Sequence, residues 1–204
     1  SHREHASIVS IPKFLPSLAG DNLLNEIKNI DLFLSRSKKP STAILGGSKI
    51  STKIELINNL VENFDNIIIG GAMANTFLFS QGFKIGKSIF EKNLVDVAKE
   101  ILIKAKNLKC NIILPIDVVC STNLKDNNNI SYSSIKNILP DQMILDIGKK
   151  SVKHINDIIL KSNMILWNGP LGAFEQKPFD SATIEVANII KKNSKTLNIL
   201  TLAG

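Results

Sequence analysis

The sequence predicts a doubly wound α/β fold, a mainly parallel and Rossmann-like sheet with helices on both faces. Three observations carry this. Short aliphatic runs alternate with longer stretches of helical period. The runs are unbroken, as strands buried on both faces require. Several of them end directly in glycine, where such sheets place their ligands, beyond the carboxyl ends of the strands. Aromatic residues make up only 5% of the chain against 44% hydrophobic residues, so the core must be aliphatic.

The elements follow in order. Residues 41–45 (Ser41-Thr42-Ala43-Ile44-Leu45) read as a strand ended by Gly46-Gly47. Ile54, Ile57, Leu60, Val61 and Phe64 then recur at three- and four-residue steps, the signature of an amphipathic helix. Residues 66–69 give a second strand, ended by Gly70-Gly71, with a short helix through Phe77 and Leu78 and a longer one over 94–108. Residues 111–114 form a strand stopped by Pro115, and residues 117–120 are read as continuing that pairing. A polar loop at 125–129 opens a region without clear rhythm. A helix over 152–160, a strand over 164–167, a helix over 181–191 and a strand over 197–202 complete the alternation, which implies right-handed crossovers. No helix is expected to cover that last strand, which would leave apolar surface beside Ile199 and Leu200. Upstream, residues 1–20 carry Pro12, Pro16 and Gly20 and lack strand–helix rhythm. Leu23, Leu24, Ile27, Ile30 and Leu34 then mark one helical face before Lys38-Lys39-Pro40. The expected divisions are 1–20, a connecting helix in 21–39, and a domain over 40–204.

Bulk properties narrow the function. The net charge is +7, but the lysines are spread along the chain rather than gathered in a stripe, which argues for a solvated surface and against a nucleic-acid partner. No signal-like or membrane-length apolar stretch occurs, so the expected location is cytoplasmic, without a membrane partner. Cys110 and Cys120 lack Cys-x-x-Cys spacing and are expected to be buried free thiols. His2 and His5 find no third ligand, and no protein metal site is predicted; His154 is read as a surface residue.

Two segments could carry chemistry. In Gly46-Gly47-Ser48-Lys49-Ile50-Ser51-Thr52-Lys53, two lysines four apart are expected on one helical face, in the first turns after a strand end. Cations are unfavourable at a helix N-terminus unless an anion sits there, so the pair points to phosphate. Neither a Walker A loop nor a Gly-x-Gly-x-x-Gly fingerprint is present. In Trp167-Asn168-Gly169-Pro170-Leu171-Gly172-Ala173-Phe174-Glu175, glycines permit close backbone approach and Glu175 could accept bonds from ribose hydroxyls. An ordinary turn with a surface glutamate is the alternative there.

These segments, together with Ile68-Ile69-Gly70-Gly71-Ala72-Met73-Ala74, Leu114-Pro115-Ile116-Asp117-Val118-Val119, Leu145-Asp146-Ile147-Gly148 and His2-Arg3-Glu4-His5-Ala6-Ser7, stand in the order and approximate spacing of phosphoglycerate kinase. The whole chain resembles that family. The resemblance implies reversible phosphoryl transfer between 1,3-bisphosphoglycerate and ADP, giving 3-phosphoglycerate and ATP with Mg2+. Lys53 matches the lysine on the nucleotide phosphates and moving phosphoryl group, with Lys49 beside it. Gly46, Ser48, Gly71 and Gly148 match positions around adenine. Asn168, Gly169, Leu171, Phe174 and Glu175 match the ribose and phosphate loop, and Arg3 matches an arginine on the phosphoglycerate side. By the same resemblance, 1–20 is the tail of the N-terminal substrate domain with the hinge, 21–39 the interdomain helix, and 40–204 an incomplete nucleotide domain. The magnesium aspartate is expected beyond Gly204, the complete protein is expected to be a monomer, and this segment alone is expected to be inactive. Ala72 and Lys149 depart from the family's usual glycine and proline. The competing readings are a non-catalytic adenine-nucleotide module and, behind it, a basic nucleic-acid-binding domain.

Overall fold

A computed structural model describes residues 5–35, 38–125 and 129–204. The chain divides into two compact units, Ser1–Arg36 and Ser37–Gly204. The first contains α1 (Ala6–Val9), a 3-10 turn (Ile11–Lys13) and α2 (Asp21–Ser35). The predicted apolar face of α2 is solvent-exposed at Leu23, Leu24, Ile27 and Ile30.

In the second unit, β1 (Ser41–Leu45), β2 (Asn66–Ile69), β3 (Asn111–Ile113), β7 (Met164–Asn168) and β8 (Leu200–Ala203) form a five-stranded sheet in the order β3-β2-β1-β7-β8. Every pairing in it is parallel. From β1 the chain steps outward through α3 (Ile54–Asn63), α4 (Gly71–Ser80) and α5 (Val95–Asn107) to β2 and β3. It returns to β7 on the other side of β1, then crosses through α7 (Ser181–Thr196) to β8. Right-handed crossovers in opposite directions put the two helix groups on opposite faces. Accordingly α5 packs with α3 and α4, while α6 (Lys149–Ile159) packs with α7. The order reverses between β1 and β7, which makes their carboxyl ends the switch point where doubly wound sheets bind ligands.

Burial explains the unbroken runs. All of β1 is buried, and Ala43, Ile44 and Leu45 have no exposed surface. Ile44 and Leu45 each contribute about 1.5–3 kcal/mol relative to exposure. The polar start of β1 is matched inside: Ser41 N and Oγ donate to Asp65 Oδ2, and the Thr42 and Ser162 hydroxyls lie 2.7 Å apart. Helix α4 is apolar nearly all round and is buried from Met73 to Leu78. Cys110 and Cys120 are buried and unpaired, and burial pushes both thiols up to about 11. No helix of the described residues is long and apolar enough to cross a membrane.

Three expectations need correction. Residues 117–120 do not extend the pairing of β3. They belong to β4 (Asp117–Ser121), the centre of a separate antiparallel sheet of order β5-β4-β6. Its partners are β5 (Ser131–Ser134) and β6 (Met143–Ile147), which lie in the stretch that showed no rhythm. The last strand starts at Leu200, because Asn198 adopts a left-handed backbone and turns the chain first. Ile199 is 6% exposed and belongs to the cluster of Ile155, Ile165 and Val186 rather than to an open apolar surface.

Candidate functional site

At the switch point the ends of β1, β2 and β7 are tied by backbone hydrogen bonds. Gly46 N donates to Asn168 O at 2.9 Å and Gly47 N to Pro170 O at 3.1 Å. Gly70 N donates to Leu45 O and Gly71 N to Leu171 O, each at 2.8 Å. At Gly46 and Gly71 such close approach leaves no room for a side chain. A Cβ on Gly46 would run into the Pro170 carbonyl. One on Gly71, where φ is +65°, would come within 2.6 Å of Gly47 O.

Lys53 is set at this crossing. Its Nζ donates to Gly46 O at 2.8 Å and to Asn168 Oδ1 at 2.6 Å, with Asn168 O at 3.4 Å. The ammonium thus bridges the ends of β1 and β7. No carboxylate among the described residues pairs with it. Burial lowers its pKa, since the charged form has lost water without gaining a counter-ion. The helical expectation for the two lysines fails. Residues 47–53 form a succession of bends and turns, and α3 begins only at Ile54, with Lys53 in the capping position at φ −132°, ψ 8°. The amides of Ile50 and Ser51 donate to the Glu91 carboxylate. Lys49 is exposed in this turn.

Beside the crossing opens a cavity of about 480 Å³. One part of its lining is strand-end backbone and the loop after β7, including Gly47, Ser48, Gly71 and Leu171. Another is made of side chains from the antiparallel sheet and its surroundings, among them Leu124, Met143, Ile144 and Asp146. Of the residues singled out from sequence, Ser48, Gly71, Leu171, Phe174 and Glu175 line the cavity. Gly46, Lys53, Asn168 and Gly169 stand together at the crossing beside it. Gly148 is not among the lining residues. It is the N-cap of α6, packed against Asp117, whose carboxylate accepts bonds from Lys150 N and Ser151 N. Arg3 lies outside the described residues, as does most of the polar loop.

Asp146, which the sequence shows only as part of Leu145-Asp146-Ile147-Gly148, is 2% exposed in the cavity wall. It accepts Ile147 N at 2.9 Å and Ala182 N, in the first turn of α7, at 3.0 Å. Burial raises its carboxyl to about 7 against those two bonds, and the charge of Asp180 adds to the rise. Trp167 completes the site loop by donating its indole N–H to Gly169 O at 2.7 Å.

Comparison with known proteins finds relatives over the whole chain. The family model "Phosphoglycerate kinase" matches residues 1–204. The phosphoglycerate kinases of Caulobacter vibrioides and Bartonella tribocorum are each 42% identical over all 204 residues, which span 52% and 51% of those proteins. The solved phosphoglycerate kinase of Coxiella burnetii superposes with a TM-score of 0.81 at 34% identity, covering 85% of this chain and 45% of that one. That of Pyrococcus horikoshii gives 0.77 at 26% identity, covering 93% and 48%. The chain therefore spans about half the length of the curated relatives it matches. With the match running from its first residue to its last, and the glycine-tied switch point already in place, this chain belongs to the phosphoglycerate kinase family.

Proposed function

We propose that the chain supplies the ADP/ATP site of a phosphoglycerate kinase, which moves a phosphoryl group between 1,3-bisphosphoglycerate and ADP, giving 3-phosphoglycerate and ATP. The observation that carries this reading is Lys53: a half-buried ammonium held only by neutral oxygens at the switch point, beside a cavity large enough for a nucleotide. An arriving phosphate would supply the missing counter-charge. In a loose phosphoryl-transfer transition state, catalysis is mainly positioning plus neutralisation of charge on the equatorial oxygens. Lys53 is suited to that neutralisation, with Lys49 as a second, solvent-facing cation. The base would lie in the cavity near Ser48, Gly71 and Leu171, and Glu175 would meet the ribose hydroxyls.

In this reading residues 1–20 belong with a substrate domain, where Arg3 would serve phosphoglycerate; 21–39 connect the domains, and 40–204 carry the nucleotide. Since the chain spans half of its relatives, it should bind nucleotide without turnover by itself. Mg2+ would accompany the nucleotide. Among the described residues no three His, Cys, Asp or Glu side chains are gathered around a common point.

Titration of the labelled chain with ADP, followed by NMR, tests the reading. Ser48, Gly71 and Gly169 should shift first. Shifts confined to residues 125–129 would reject it.

A further inference from the structure

The turn that carries both lysines is held only in part by its own backbone. Ile50 and Ser51 present N–H groups that no helix or strand uses. Both donate to one oxygen of Glu91, Ile50 at 2.5 Å and Ser51 at 3.1 Å, while the Ser51 hydroxyl donates to the other oxygen at 2.5 Å. Glu91 lies forty residues further along the chain and is not part of the cavity lining. It is itself anchored to α4. Its backbone N–H donates to Thr76 Oγ1 at 3.1 Å, and the carbonyl of Ile89, two residues earlier, accepts from Asn75 Nδ2 at 3.0 Å. Asn75 and Thr76 are each 1% exposed on the helix whose first residues line the cavity. On the other side of the turn, Lys53 N donates to Ile50 O at 2.7 Å. A continuous chain of hydrogen bonds therefore runs from the buried core of α4 through Glu91 to the backbone of Lys53.

We infer that Glu91 is a positioning residue for the nucleotide phosphates: it fixes the turn at 47–53 so that Lys49 and Lys53 are held in place before the ligand arrives. The inference rests on the nucleotide reading above. Three bonds converge on one carboxylate, and bonds to an ionised acceptor are roughly twice as strong as neutral ones. Partial burial pushes the Glu91 carboxyl up, but the bonds from Ser51 and Ile50 and the charge of Lys49 outweigh it and hold the carboxyl below its ordinary value. The carboxylate is thus ionised at neutral pH, when the lysine turn needs it. Its charge also offsets that of Lys49 while no phosphate is bound. Without it, two backbone donors and a hydroxyl would turn to water, and the lysines would have to be ordered at the expense of binding.

The test compares ADP with adenosine, which shares the base and sugar but has no phosphate. In the full 204-residue chain, Glu91→Ala should weaken ADP binding about tenfold and leave adenosine binding within about twofold. It should also speed hydrogen exchange at the Ile50 and Ser51 amides about tenfold or more, with β1 and α4 amides unchanged. Glu91→Gln, which keeps one oxygen acceptor, should recover part of both effects. Ser51→Ala, which removes only the hydroxyl bond, serves if Glu91→Ala does not fold. Equal weakening of ADP and adenosine, unchanged ADP binding, or unchanged exchange at Ile50 and Ser51 would each overturn the inference. If the unaltered chain bound no ADP, the nucleotide reading would fall, and the exchange rates alone would decide whether Glu91 holds the turn.

Discussion

The cavity has two unlike sides. Toward the parallel sheet it is built from backbone: glycines at the ends of β1 and β2 and in the loop after β7 lie so close that carbonyls occupy the space of side chains. Toward the antiparallel sheet it is built from side chains, with Met143, Ile144 and Leu124 forming an apolar face around one buried carboxylate. The contrast teaches where the site can vary. A backbone wall tolerates little change, because a methyl at Gly46, Gly71 or Gly169 would enter neighbouring backbone. A side-chain wall can repack, as cores generally do when volume is kept.

The strongest way to break this contrast is Gly46→Ala. Its methyl would enter the Pro170 carbonyl, so the β1–β7 junction must open. A loss of roughly 3 kcal/mol is expected, the upper range for overpacking. That corresponds to a fall in Tm of about 6–12 °C. A melting temperature within a degree or two of the unaltered chain would show that the backbone wall yields. Next in size is the charge that this wall holds. In the complete protein, Lys53→Ala should lower kcat and kcat/KM together by roughly a hundredfold, as for a group acting mainly in the transition state. A rise in KM for nucleotide at constant kcat would reduce Lys53 to a binding residue.

The side-chain wall is probed by its one polar member. The folded-state pKa of Asp146, about 7, lies above its ordinary value, so between about pH 4 and 7 the folded chain holds a proton that the unfolded chain releases. Its contribution is therefore fully present at the acid end and is lost as pH rises through about 7. Relative to Asp146→Asn, the unaltered chain should lose on the order of 1–3 kcal/mol of stability across that window, read from denaturant melts at each pH. A difference that does not vary with pH would mean that Asp146 is ionised throughout. The smallest effect is expected for Met143→Leu, a volume-conserving swap that should cost under about 1 kcal/mol and leave ADP binding unchanged. A larger loss would make the two walls alike.

The same division governed what could be read from sequence. Parallel strands announced themselves because burial on both faces forces unbroken aliphatic runs such as Ile67-Ile68-Ile69, and their glycines marked the ligand end. The antiparallel sheet gave no such signal. Its strand β5 is Ser131-Tyr132-Ser133-Ser134, polar and half open to solvent, and β6 runs from apolar residues into the buried Asp146. Residues 117–120 looked like more of β3 because Val118, Val119 and Cys120 are as apolar as their predecessors; only pairing with distant partners, offset between Val119 and Cys120, assigns them elsewhere. Lys49 and Lys53 were legible as a pair but not in conformation. The turn between them is bonded to Glu91, and a hydrogen bond across forty residues leaves no local pattern.

The indole of Trp167 donates to Gly169 O inside the loop that joins β7 to the cavity. It is the only tryptophan in the chain, and the single tyrosine, Tyr132, is largely exposed on the other sheet. Excited at the red edge of its absorption, the protein emits from one fluorophore, and that fluorophore is fastened to the switch-point loop. A shift in its emission on adding a ligand reports that loop without any label, and a silent spectrum assigns the binding elsewhere.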